Sequence, residues 1–120
     1  MSQELPPQVQ NQLAQLQQMQ QQAQALAQQK NQLEVMLKES DMAIGELDKL
    51  DENTDVYKNI GNILIKTDKN KTFEELNEKK ETLGLRLQTL TKQEERINKR
   101  FTQLQEQLKT SVGSSGYKAE

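Results

Sequence analysis

The stretch Val56-Tyr57-Lys58-Asn59-Ile60-Gly61-Asn62-Ile63-Leu64-Ile65-Lys66-Thr67 decides how this chain folds. Two runs rich in β-branched and aromatic residues flank Gly61-Asn62, a pair suited to a two-residue hairpin turn. A turn that tight sets Ile60 opposite Ile63, Lys58 opposite Ile65 and Val56 opposite Thr67. One face then carries Val56, Ile60, Ile63 and Ile65. A longer turn changes the pairings, because a one-residue slip sends every side chain to the other face.

Outward from the hairpin, both flanks carry heptads. From about Pro6 to Leu50 one seam position reads Val9, Leu16, Ala23, Lys30, Leu37 and Ile44. The other reads Leu5, Gln12, Met19, Leu26, Leu33, Ser40 and Leu47. On the far side Phe73, Lys80, Leu87, Glu94, Phe101 and Leu108 alternate with Leu76, Leu83, Leu90, Ile97 and Leu104. Spacings of three and four are the seam of a coiled coil. The prolines Pro6 and Pro7 suit a first helical turn, and Thr72 with Glu75 reads as a capping box opening the second helix.

Composition narrows the choice further. Of the 120 residues only 32% are hydrophobic and 3% aromatic, below the ~45–50% apolar share of an ordinary globule. Such a chain is either disordered or built from long helices burying a narrow stripe. Its sustained heptad phase selects helices. With 16 basic and 18 acidic residues the net charge is −2, so nothing draws the whole chain to nucleic acid or an anionic membrane. No run approaches the ~18 apolar residues of a membrane span, and the start lacks the pattern of a signal peptide. Cysteine and histidine are absent. That removes disulfides, a Cys–His or Ser–His nucleophile pair and a zinc site, and leaves a cytoplasmic setting as the default. Carboxylates lie beside Lys and Arg along helical faces, as solvated ion pairs do. Gly45, Gly61 and Gly84 stand singly, without a phosphate-cradling loop. No catalytic residue, cofactor or metal ligand is expected; the chain reads as a non-enzyme.

The expected fold is mostly α: a long antiparallel two-helix coiled coil with a central β-hairpin that oligomerises into a β-barrel platform. Within a single domain over 1–120, the first helix covers 6–50, the hairpin 53–71, the second helix 72–111 and a flexible tail 112–120. At ~1.5 Å per residue the helices span roughly 65 and 55 Å, giving a rod with both termini at the end away from the hairpin. Lys30 and Glu94 fall in neighbouring layers of the seam, and their pairing would fix register as a polar layer. The rival reading has each side chain snorkel to water.

Two strands are marginal in water, and these carry apolar side chains on open edges. The economical cover is other hairpins closing into a sheet or barrel. Assembly therefore falls to Val56, Tyr57, Ile60, Gly61, Ile63, Leu64 and Ile65. The helix termini then project outward. From Leu5 to Gln29 there is no charged residue, and 13 of the 25 residues from Gln8 to Gln32 are Gln. Fraying of this end would bare Leu5, Val9, Leu13, Leu16, Leu104, Leu108 and Val112, with Met19 adding adaptability. On an almost uncharged background, that surface suits exposed apolar segments of many proteins.

These features together resemble a known family. The pattern Tyr57-Lys58-x-x-Gly61-x-x-x-x-Lys66 between two long helices is similar to the beta-class subunit of archaeal prefoldin. The Leu5-Pro6-Pro7-Gln8-Val9-Gln10 start and Lys92-Gln93-Glu94-Glu95-Arg96-Ile97 fit the same family. A single hairpin also matches the beta class, the alpha class carrying two. The resemblance implies a hexamer of two alpha-class and four beta-class subunits, with hairpins in a double β-barrel platform and six coiled-coil arms. It further implies that non-native client proteins are captured at the arm tips without ATP and handed to a group II chaperonin. Two other readings stand beside it: a structural or tethering spacer within a larger complex, and a homo-oligomeric relative that needs no alpha-class partner. A spacer has no use for exposed β edges.

Overall fold

The computed structural model describes residues 5–114. Helix α1 runs Pro7–Asp48, strands β1 Val56–Ile60 and β2 Ile63–Thr67 form an antiparallel pair, and helix α2 runs Lys69–Ser114. The chain divides into two compact units: residues up to Gln29 with those from Leu90 onward, and Lys30–Thr89.

Helix α1 opens where Pro7, lacking an N–H, occupies the first turn at no cost. The shielded residues along it and just before it are Leu5, Val9, Gln12, Leu16, Met19, Ala23, Leu26, Lys30, Leu33, Leu37, Ser40, Ile44 and Leu47, joined by Pro6 and Ala43. Apart from those two, they are the heptad positions without exception. In the second helix every heptad position but Lys80 is shielded. That residue is exposed, and its ammonium reaches Asp41 of α1 at 2.6 Å. The charge at this seam position is thus met by a carboxylate at the helix flank rather than buried.

The start of α2 differs from the sequence expectation. Asp68, not Thr72, caps the helix: its Oδ1 accepts the Lys71 N–H at 2.7 Å. Thr72 lies inside the first turn, its hydroxyl donating to the Asp68 carbonyl at 2.8 Å, and Glu75 turns to Lys58 of β1 at 2.9 Å. A capping box needs its Ser/Thr outside the helix, and β2 ends too close to leave room for one. At the far end α2 continues through Ser114, so Val112 and Gly113 are helical. The rest of the expected tail lies outside the described residues.

The unit Lys30–Thr89 buries Leu33, Leu47 and Leu83 at 8%, 7% and 4% exposure, and the other unit buries Val9 and Leu104. Among the described residues no large side chain is completely enclosed. This is the thin core that a chain with so little apolar material can build. Leu83→Ala is expected to cost about 2–3 kcal/mol, the low end of large-to-small core changes, because so thin a seam can partly collapse. Thermal unfolding followed by circular dichroism would measure it; a change under about 0.5 kcal/mol would show that Leu83 contributes nothing to the core.

Candidate assembly and client surfaces

The hairpin register is Val56↔Thr67, Tyr57↔Lys66, Lys58↔Ile65, Asn59↔Leu64 and Ile60↔Ile63. It follows from the turn. Gly61 and Asn62 have φ of 51° and 68°, both positive as a type I′ turn requires, and these two residue types tolerate that region best. The pairing places Val56, Ile60, Ile63 and Ile65 on one face with Lys58 and Thr67. Tyr57 and Leu64 lie on the other, beside Asn59 and Lys66.

The helices do not cover this ribbon. Ile60, Ile63 and Ile65 remain 49%, 64% and 47% exposed, and Tyr57 and Leu64 are open as well. Only Val56 and Thr67, at the root, are half-buried. Polar links hold that root: Lys58 to Glu75 at 2.9 Å, Lys66 to Asp55 at 3.3 Å, and the Lys69 ammonium donating to the Leu50 carbonyl at 2.7 Å. The ion pairs are solvent-exposed, so each contributes at most about 1 kcal/mol. They aim the hairpin; they do not bury it.

In the other unit, the residues expected to meet clients are mostly turned inward. Val9 and Leu104 are 2% and 6% exposed, whereas Leu5, Leu16, Met19, Leu108 and Val112 are half-buried. Leu13 alone of this set is exposed. Gln12 is a buried polar seam position, and among the described residues its Oε1 accepts no hydrogen bond. A buried acceptor left unmet costs on the order of 1–3 kcal/mol. Gln12 and Gln8 line one side of a cavity of about 350 Å³, with Glu106, Gln107, Thr110 and Ser111 on the other. A second cavity, about 370 Å³, lies between Met19 and Ile97 with Arg96 and Arg100 at its side. Lys30 and Glu94 are both half-buried and both hold an interaction.

Sequence reasoning passed over three features. Val35, Met42 and Leu85 are exposed apolar residues outside the seam, which the heptad phase could have flagged. Arg96 and Arg100 stand one helical turn apart, a spacing visible in the sequence. Asp68 is a good helix cap by residue type but was masked by the neighbouring Thr72–Glu75 pair.

The family model for a prefoldin subunit matches residues 10–115. The chain belongs to the prefoldin family of chaperone subunits. It is 63% identical over 116 residues to prefoldin subunit beta of Methanococcoides burtonii, covering 97% of this chain and 99% of that one. Prefoldin subunit beta of Pyrococcus furiosus is 40% identical, with 92% and 94% covered. The crystal structure of the prefoldin beta subunit from Thermococcus strain KS-1 superposes with a TM-score of 0.85 at 40% identity, covering 92% of this chain and 97% of that chain. The likeness therefore extends to the beta class and takes in both helices and the hairpin. Prefoldin subunits are non-enzymatic, so the chain is a chaperone component and not an enzyme. Among the described residues no helix is long and apolar enough to cross a membrane.

Proposed function

We propose that this chain is a beta-class arm of a prefoldin hexamer of two alpha-class and four beta-class subunits, acting in the cytoplasm. Its hairpin joins those of the other subunits in a double β-barrel platform. The end of the coiled coil bearing Leu5, Val9, Leu13, Leu16, Met19, Leu104, Leu108 and Val112 takes hold of non-native proteins. Holding uses no ATP, and the client passes to a group II chaperonin. The observation that carries the reading is the ribbon with Ile63 and Leu64 64% and 68% exposed on its two faces. A register fixed by a two-residue turn presents this surface ready to pair, and unpaired it would be an aggregation hazard. The unmet Oε1 of Gln12 supports the second half, since it lowers the cost of opening the seam where clients would enter.

The test is native mass, for the purified chain alone and mixed with an alpha-class prefoldin subunit. A discrete heterohexamer appearing only in the mixture is the expected result. A large homo-oligomer of the chain alone would favour the homo-oligomeric relative, and a monomer or dimer indifferent to the partner would favour the spacer.

A further inference from the structure

The cavity beside Met19 has an unusual electrostatic make-up. Its apolar floor is Met19 of α1 and Ile97 of α2, both half-buried. Gln15, Gln18 and Gln22 line the α1 side, and Arg96 and Arg100 the α2 side. The two arginines are exposed, four residues apart, and so share one helical face. Among the described residues neither guanidinium has a carboxylate partner. The reason lies in the sequence of α1, which carries no charged residue from Leu5 to Gln29. A coiled coil ordinarily sets opposite charges across its flanks, and the unit Lys30–Thr89 does so with Asp41 and Lys80. Here the cations face glutamine. Glu94 and Glu95 are the nearby carboxylates, but Lys92 and Lys99 together with the two arginines outnumber them on the same stretch of helix.

We infer that this groove binds client segments in which an acidic residue lies next to a large apolar one. The apolar side chain rests on Met19 and Ile97. The carboxylate is held by the guanidiniums, whose planar forks suit bidentate pairing. The glutamine amides both donate and accept, so they can meet the backbone of an extended peptide in either direction. The volume of about 370 Å³ holds a few side chains and no folded domain. Charge complementarity selects the occupant: an apolar groove alone accepts any greasy segment, but two unpaired guanidiniums favour an acidic one and repel a basic one. The inference rests on the client-capture reading and adds a preference to it.

The assembled hexamer, containing this chain and an alpha-class partner, would be titrated with three fluorescent peptides. They are alike except that one carries Leu-Glu at its centre, one Leu-Lys and one Ser-Glu. The Leu-Glu peptide is expected to bind about fivefold to tenfold more tightly than Leu-Lys, with Ser-Glu weakest. The preference should shrink at high salt, because the charges are exposed. In the double variant Arg96→Gln/Arg100→Gln it should fall to about one, while Arg96→Lys/Arg100→Lys keeps part of it. Both substitutions are at exposed positions, and circular dichroism and native mass confirm that fold and assembly persist. Equal binding of Leu-Glu and Leu-Lys by the wild-type hexamer, or a preference that survives in the glutamine variant, overturns the groove but leaves client capture standing. Tighter binding of Ser-Glu, or displacement of the peptide by a single-stranded oligonucleotide, identifies a general anion surface and also overturns it. Failure of all three peptides to bind overturns the groove and client capture together.

Discussion

Replacing Ile63 and Ile65 with lysine leaves this chain folded but unable to enter a hexamer. In the free chain the two side chains are 64% and 47% exposed, so exchanging them for a solvated cation changes stability by no more than about 0.5 kcal/mol each. In a closed sheet the same positions lie on the face that carries Ile60 and Val56. Burying unpaired ammonium groups there costs several kcal/mol each, and the cost is incurred in every beta-class arm of the assembly. The contrast between these two environments makes the effect large. Native mass of the variant mixed with an alpha-class subunit would show free subunits, while circular dichroism would show the helices unchanged. A hexamer that formed at wild-type concentration would mean that the ribbon is not the assembly surface. Gly61→Val reaches the same surface through the backbone, because a β-branched residue at a φ of 51° is strained and the type I′ turn would be lost.

Removing residues 1–16 and 105–120 should have the opposite pattern, abolishing client capture while the hexamer still forms. The deletion takes away Leu5, Val9, Leu13, Leu16, Leu108 and Val112 and leaves the unit Lys30–Thr89, with its hairpin, intact. Suppression of the aggregation of a denatured protein should weaken by about tenfold or more. Unchanged suppression would move the client surface away from this end. The mechanism has a second handle. Val9 and Leu104 are buried when the seam is closed, so they meet a client only after the helices part locally. Gln12, with its unmet Oε1, makes that parting cheaper. Gln12→Leu should therefore raise thermal stability and weaken capture together; a variant that gained stability and lost no capture would separate the two.

The helices, their phase and the hairpin register could all be read before any coordinates. Each depends on neighbours within a few residues: heptad spacing selects the seam, and Gly61-Asn62 selects a two-residue turn and with it the face of every strand residue. Where the expectation failed, two local signals competed. Asp68 and Thr72 are both good caps, and the choice between them depends on where β2 ends and the chain turns back, which neither residue encodes.

The proposed client surface was legible only in part. The heptad phase named its residues, Leu13 and Val112 apart, as seam positions, but how far each is exposed depends on the opposing helix. Val9 is closed over, Leu13 is open, and Gln12 is buried with one oxygen unanswered. Lys80 reads as a buried seam charge until Asp41 is placed beside it. The arginine groove is the same case: Arg96 and Arg100 are ordinary surface cations on α2, and they become a site only because α1 brings glutamine instead of carboxylates to face them. The sequence by itself determined the period, the turn and the composition of each face, since these arise from local geometry and side-chain chemistry. Tertiary structure alone decided which charges found partners and which apolar groups stayed open, because burial and pairing belong to two segments brought together, and each segment carries only half of the information.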